Sequence, residues 1–436
     1  KELQAVVLKD KKTKITFHNG ILTIGGTIIE IVYEDSHIFF DFGSEYNPSA
    51  SFQPSNLQEL LDEKLVPYLN NMYDPSIELK GYKSSEDNFK HTAVFLSHMH
   101  LDHSKIINYL NPSVPLYTLE GTKSLLNTLN INDDFLFPLH NKKDSNTREI
   151  IGVKENEVIE VGKIKVKVMP VDHDAYGACG LLIKTPDLVI SYTGDIRLHG
   201  YREEDTLKFC KESENCDVLL IEGVTVSFKD FEDEENENDL CNENDLIKRV
   251  NEIVNNNPNK QITFNYYISN IERILNIIKT NPRKVVLDAY YSYVLKEATN
   301  YESYYYTLDD KDYGLNPEYE IKFEELLNDE SEYMWQLDKN SLKQFNKLKK
   351  GGIYIHSNAV PLGPYDPSYE PFVNKFKKHN IEFITVSCSG HAHPKDLIKI
   401  INLIKPKLLV PIHSYKPEKL YNEHGERLLP KKNQTI

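Results

Sequence analysis

The sequence predicts an α/β protein, and three observations carry that reading. Short apolar runs recur along the chain and stop at an ionisable residue. A strand–helix–strand pattern stands in the second half. Several of the ionisable residues that end the apolar runs are histidines and aspartates spaced like metal ligands. Apolar runs of this length, bounded by turns, read as buried strands, and alternation with helical patterns implies parallel pairing.

Taken in order, residues 4 to 43 read as strands and turns. Ile21 to Ile24 leads to Gly25-Gly26, Thr27 to Ile31 follows, and His37 to Phe40 ends at Asp41-Phe42-Gly43. Asp41 fits two roles, a turn residue or a hydrogen-bonding support for a neighbouring metal loop. Residues 44 to 91 read as loops and short helices. Ala93 to Leu96 is a strand that runs into Ser97-His98-Met99-His100-Leu101-Asp102-His103, and a helical pattern covers Ser104 to Tyr109. Ligand sites in α/β proteins lie where a strand turns into a helix. His98 and His100 stand at i and i+2, so in an extended loop both rings point the same way. Asp102 and His103 follow at the helix start. Imidazole suits zinc, and a nearby carboxylate suits a second divalent ion.

The pattern repeats. Ile159 to Asp172 ends in Val171-Asp172-His173-Asp174, and Ala178 to Ile183 is a further strand. Leu188 to Tyr192 leads to Thr193-Gly194-Asp195, and Val218 to Ile221 leads to Glu222-Gly223. This repetition places the ionisable groups along one edge of a buried sheet system. Asp230 to Asp245, with nine acidic residues in sixteen positions, reads as a solvated or disordered loop. Gln261 to Tyr267, Ile271 to Lys279 and Lys284 to Leu287 make the strand–helix–strand unit. Tyr301 to Tyr319 is tyrosine-rich and acidic; it reads as surface packing, with stacking of bases or sugars as the alternative. After it the strand-then-polar pattern returns at His356-Ser357, at Ser387-Cys388-Ser389-Gly390-His391, and at His413.

Composition sets outer limits. The 436 residues leave room for two domains, and 40% hydrophobic with 27% charged residues is ordinary for a soluble globular protein. No apolar run reaches membrane-spanning length, and the first residues lack a signal-peptide pattern, so no membrane partner is expected. The five cysteines are odd in number and unclustered, which argues against a disulfide scaffold and fits a reducing cytoplasm. A net charge of −15 by itself counts against nucleic acid. The charge is uneven: residues 341–436 hold 16 basic and 7 acidic side chains, a balance of +9, which leaves −24 for the rest. A basic quarter suits a polyanion, and it equally suits lysines solvated on amphipathic helices.

The candidate ligands are His98, His100, Asp102, His103, His173, Asp195 and His413. Their order and context resemble the metallo-β-lactamase superfamily: a His-x-His-x-Asp-His signature, a later lone His, a Gly-Asp, and a final His after a strand. That resemblance implies a four-layer αββα core, with His98, His100 and His173 on one zinc, Asp102, His103 and His413 on the other, and Asp195 bridging. Manganese is the alternative ion.

Asn265 to Ile274 and Arg283 to Val286 resemble the inserted domain of the β-CASP nucleases, and within that group the ribonuclease J family. Ile221-Glu222-Gly223 and Ser389-Gly390-His391-Ala392 match the group's acidic and histidine motifs. The implied division is 1–225 for the first part of the core, 226–384 for the insertion and 385–436 for the return, with the active site in the cleft where they meet. Asp195, Glu222 and His391 are then the catalytic set, with His391 protonating the leaving oxygen and Glu222 orienting it. Ser357, Ser387 and His391 are the substrate contacts.

Two departures stand out. The family's final His-Gly-Glu is His413-Ser414-Tyr415 here, and Ser387 stands where ribonuclease J has a second phosphate-binding histidine. The sequence also stops shortly after His413, where ribonuclease J carries a further domain. His393 reads as a helix N-terminal residue, and His140, His199, His356 and His424 as structural or exposed.

The expected activity is metal-assisted hydrolysis of nucleic-acid phosphodiesters in the cytoplasm. The expected partners are single-stranded nucleic acid, RNA ahead of DNA, and a second copy of the chain in a homodimer. A metallo-hydrolase of a small ester, thioester or lactone is the first alternative. A non-catalytic RNA-binding protein is the second, and the complete ligand set argues against it.

Overall fold

The structure is a computed structural model that describes residues 4–44, 52–231, 240 and 242–436. The chain forms two compact units, Lys1–Asp233 with Gly390–Ile436, and Glu234–Ser389. Most of the acidic stretch 230–245 lies outside the described residues. Its end does not continue the loop expected from its charge: Glu243–Asn255 is a helix, capped by the Asn242 side chain on the Asp245 N–H.

The first unit holds two sheets. One orders β1 (Lys14–Asn19), β2 (Ile28–Tyr33), β3 (Ser36–Phe40), β4 (His91–Phe95), β5 (Leu116–Leu119) and β6 (Ile151–Val153). Its first pairings are antiparallel, and from β3 onward they are parallel. Residues 21–24, expected as a strand, are a bend here. They lead to Gly25 and Gly26, both with positive φ, and the chain turns before it can extend. The helix expected over 104–109 is an α-turn at Leu101–Ser104 followed by a 3-10 turn at Ile107–Tyr109.

The second sheet begins with β7 (Val158–Val161), β8 (Ile164–Pro170), β9 (Cys179–Lys184), β10 (Val189–Tyr192) and β11 (Val218–Glu222). The chain then makes the second unit. There β12 (Ile262–Tyr266), β13 (Lys284–Asp288), β14 (Tyr304–Tyr306), β15 (Tyr333–Gln336), β16 (Ile353–Ser357) and β17 (Glu382–Thr385) form an all-parallel sheet in the order β14-β13-β15-β12-β16-β17. The strand–helix–strand pairing is parallel as expected, with β15 inserted between β12 and β13. Trp335, Tyr306, Tyr354 and Phe376 fill the core beside this sheet.

The chain returns at Gly390. Strands β18 (Leu408–Ile412) and β19 (Glu426–Arg427) complete the second sheet as β19-β18-β11-β10-β9-β8-β7. Phe17, Ile31, Phe40 and Phe95 of the first sheet share one core with Val166, Leu181, Leu220 and Val410 of the second. The other face of the second sheet, with Leu219 and Leu409, packs on helices Glu203–Glu212 and Pro394–Ile404. Helix Glu120–Leu129 covers β5 and β6. The layers are therefore helix, sheet, sheet, helix. Strand β18, and β11 up to its terminal Glu222, are apolar throughout because alternate side chains serve two cores.

Candidate metal centre

The topology collects the ionisable residues at one set of strand ends. Phe40 of β3 pairs with Phe95 of β4, so Asp41 and the loop Ser97–His103 leave side by side. Glu222 at the end of β11 pairs with Ile412, and His413 follows. Strand β10, parallel to β11, ends just before Thr193-Gly194-Asp195. Ligand sites lie outside the carboxyl ends of parallel strands.

Close backbone contacts hold these loops. Phe42 N donates to His103 O at 2.7 Å and Gly26 N to Asp102 O at 2.8 Å. A β-carbon on Gly43 would lie 1.8 Å from the Asp102 carbonyl oxygen, so only glycine admits the loop this close. Asp41 and His413 both have positive φ, 63° and 51°. Such a conformation costs a non-glycine residue of order 1 kcal/mol or more and clusters at functional sites.

Seven residues converge. His98, His100, His173 and Asp195 present ligand atoms within 4.8 Å of one another, and so do Asp102, His103, Asp195 and His413. Asp195 belongs to both groups. Its Oδ2 lies 3.4 Å from His98 Nε2, 3.2 Å from His103 Nε2 and 3.7 Å from His173 Nε2. Its Oδ1 lies 3.1 Å from His413 Nδ1, and Asp102 Oδ2 is 3.2 Å from His413 Nε2. Two donors each about 2.05 Å from one tetrahedral ion stand about 3.3 Å apart. The observed spacings match that value.

The buried atoms His98 Nε2, His103 Nε2, His413 Nδ1 and Asp195 Oδ1 face one another without hydrogen-bond geometry among the described residues. Each such buried group costs about 1–3 kcal/mol unless something joins it. The two groups to which these atoms belong are compatible with divalent metal binding. The outer nitrogens are already committed. His103 Nδ1 donates to Asp41 Oδ2 at 2.8 Å, His98 Nδ1 to Ser97 Oγ at 2.9 Å, and His173 Nδ1 to Gly390 O at 2.6 Å. Asp41 also accepts from Ser97 N at 2.8 Å and from the Tyr192 hydroxyl. These bonds fix the tautomers that turn each Nε2 inward. Of its two candidate roles, Asp41 is therefore the support.

Electrostatics follow the same division. Burial works against charge throughout. It holds His173 well below its ordinary pKa and His100 down at about 4. In the second group burial is outweighed: Asp195 and Asp102 lift His413 to about 10, and Asp102 and Asp195 lift His103 well above its usual range. The same histidines hold Asp102 and Asp195 well below the carboxylate range.

A further group joins Asp195 with Glu222 and His391. His391 Nδ1 donates to Glu222 Oε1 at 2.9 Å, and that buried carboxylate also accepts from Ile196 N and Val224 N. Burial would lower the His391 pKa; Glu222 outweighs it and raises it to about 9. The His391 ring lies 5.0 Å from that of His173.

Ser357 and Ser387 both fall within the compact unit Glu234–Ser389. Both are buried. The Ser357 hydroxyl is 3.3 Å from Arg273 Nη1, and the Ser387 carbonyl accepts from Leu240 N. His393 occupies the N-cap position of helix Pro394–Ile404 without a side-chain capping bond, and its ring stacks on His199. His356 is buried, bonded to the Tyr354 hydroxyl and Pro361 O.

One site residue escaped the sequence reading. Asp174 Oδ1 lies 3.3 Å from His173 Nε2 and 3.9 Å from His100 Nε2. Its only sequence signal was its place next to His173.

Comparison with known proteins agrees with this geometry. Residues 73–233 match the family model described as a beta-lactamase superfamily domain. Ribonuclease J of Mycoplasma genitalium is 23% identical over 441 residues, covering 92% of this chain and 68% of that protein. Ribonuclease J of Mycoplasma pneumoniae is 23% identical over 426 residues with the same coverage. A crystal structure of a protein of unknown function from Enterococcus faecalis V583 superposes with a TM-score of 0.92 at 48% identity, covering 98% of this chain and 100% of that one. Family model, layers and clustered His/Asp groups agree: residues 73–233 carry a metallo-β-lactamase superfamily domain, and the chain resembles ribonuclease J over most of its length.

Proposed function

We propose that the chain is a metal-dependent nuclease that hydrolyses phosphodiesters of single-stranded RNA in the manner of a ribonuclease J. His98, His100 and His173 would hold one ion, Asp102, His103 and His413 the other, and Asp195 both. Zinc suits this donor set of imidazoles and carboxylates, with manganese as the alternative. Bound divalent ions supply Lewis acidity toward phosphoryl oxygens and a water of near-neutral pKa.

The observation that carries the reading is the His391–Glu222 pair, 2.9 Å apart beside the ligand groups. A sugar alkoxide is a poor leaving group and needs a proton as the bond breaks. With its pKa raised to about 9, His391 is protonated at neutral pH. Glu222 accepts the Nδ1–H hydrogen bond, so Nε2–H is the one available for transfer. The backbone N–H groups of Ile196 and Val224 keep the carboxylate in place.

Ser357 and Ser387 are proposed as phosphate contacts, the second unit as a nucleic-acid platform, and the homodimer and cytoplasmic setting as the context. Among the described residues no helix is long and apolar enough to cross a membrane. The four described cysteines are buried and none is in a disulfide. The net charge of −15 favours the second reading, a hydrolase of a small uncharged ester, thioester or lactone.

The test incubates purified protein with end-labelled single-stranded RNA, the matching DNA and a thioester, with and without chelator. Chelator-sensitive cleavage of RNA, with DNA cut more slowly, is the expected result. Turnover of the thioester with both strands left intact would replace the first reading with the second.

A further inference from the structure

The second unit holds a cavity of about 560 Å³ at the amino-terminal edge of β13 and β14, away from the strand ends that carry Asp288 and Ser357. Small-molecule sites span about 300–1,000 Å³. Its walls include Arg283, Lys284, Tyr301, Tyr304 and Tyr319. The Tyr304 and Tyr319 rings stand 5.7 Å apart at 62°, and all three tyrosines are partly exposed. None of the three hydroxyls makes a hydrogen bond among the described residues.

The two cations differ. The Arg283 guanidinium is buried on the carbonyls of Asn257, Glu330 and Tyr333, with no carboxylate at ion-pair distance among the described residues. Its charge is solvated by carbonyl dipoles, and Asp329 acts on it only beyond ion-pair distance. Lys284 Nζ lies 5.7 Å from the Tyr304 ring centre, and its pairing with Glu332 at 3.6 Å is weak because both side chains are half-exposed. Glu302 is also on the wall, its carboxylate 3.4 Å from Lys296 Nζ; aromatic faces with free hydroxyls beside the two cations fit a nucleobase with its phosphate. Tyr301 and Tyr319 come from the tyrosine-rich stretch that the sequence alone left between packing and base stacking.

We infer that this cavity binds one nucleotide, its base against Tyr304 and Tyr319 and its phosphate toward Lys284 and Arg283. The source committed to is a nucleotide within single-stranded RNA. The inference rests on the nucleic-acid reading above.

The experiment measures binding of UMP and of a short labelled single-stranded RNA to the full chain in chelator, which prevents cleavage. Tyr304→Leu with Tyr319→Leu should weaken RNA binding by about 5- to 100-fold. Lys284→Ala is an exposed change that leaves the fold intact. It should weaken binding several-fold and lower the salt slope by about one. Variants that bind RNA as tightly as the parent, with the parental salt slope, overturn the inference. UMP bound as tightly as RNA overturns the assignment to a strand. These results separate from the proposed function: a parent that cleaves RNA while the variants bind normally loses only this cavity. A parent that binds RNA here yet never cleaves loses the nuclease reading and keeps the cavity.

Discussion

Both units carry polar residues at the carboxyl ends of parallel strands, but the two edges are finished differently. In the second unit most of the groups satisfy one another, Asn270 Nδ2 being an exception. Gln336 accepts from Asp288 N at 3.0 Å and donates to Asn265 at 2.9 Å, and Asp288 Oδ1 caps the next helix at Tyr290 N. Arg273 is fully buried, pairs with Glu243 through Nε and Nη2, and reaches Asn358 and Ser357 through Nη1. In the first unit the outer nitrogens are bonded while the inner atoms of His98, His103, His413 and Asp195 are not. A closed network rigidifies; a set of inward atoms without hydrogen-bond geometry is a place for a ligand.

The comparison can be broken by substitution, beginning with the largest effect. Asp195→Ala removes the carboxylate common to both ligand groups, so metal uptake and turnover should both fall below detection. Elemental analysis beside a cleavage assay reads the two. Retained metal with full turnover would show that the inward atoms serve no ion.

His391→Ala comes next. Loss of a general acid is worth about 10²–10⁴-fold, so turnover should fall by that factor while metal content stays parental. Glu222→Gln should lose part of it, and the double variant should be little worse than His391→Ala, because the pair acts as a unit. A metal content reduced in His391→Ala would make the residue a ligand instead.

The closed edge is tested through stability. Arg273→Met strands the buried Glu243, which costs about 3–5 kcal/mol, whereas Arg273→Met with Glu243→Leu should recover most of the loss. Trp335 is the sole tryptophan and is buried in the second unit's core, so its fluorescence reports that unit's urea midpoint. Equal destabilisation in the single and double variants would contradict the pairing account.

The smallest effect is a pH slope. Burial first, and Asp338 second, push the Asp288 carboxyl up to about 8. The unfolded carboxyl ionises near 4, so the folded state binds the extra proton between these values. The contribution of the second unit's folding is full below about pH 4, falls as pH rises to about 8, and then levels. Asp288→Asn keeps the cap on Tyr290 and should flatten that fall, since it also relieves Asp338. An unchanged slope in the Trp335 transition would place the proton elsewhere.

Much of this was legible in the sequence, for a physical reason. Strands buried on both faces are apolar throughout, so β11 and β18 stand out and end visibly at Glu222 and His413. The Ser97–His103 loop concentrates four ionisable side chains in six residues. What stayed hidden depends on register and three-dimensional approach. The support of His103 by Asp41 follows from Phe40 pairing with Phe95, which no local pattern encodes. The grip of Gly390 O on His173 joins residues 217 positions apart. Asp174 was passed over because a carboxylate beside a ligand is as often a turn residue. Residues 21–24 are apolar like a strand, yet the glycines after them decide for a bend.

The most direct measurement strips the protein of metal and follows cleavage of end-labelled single-stranded RNA as zinc or manganese is returned. Asp195 shared between two ligand groups predicts that cleavage is absent without metal and recovers fully only as the second equivalent binds. Cleavage that persists in metal-free protein, or that is complete at one equivalent, would contradict the two-ion account.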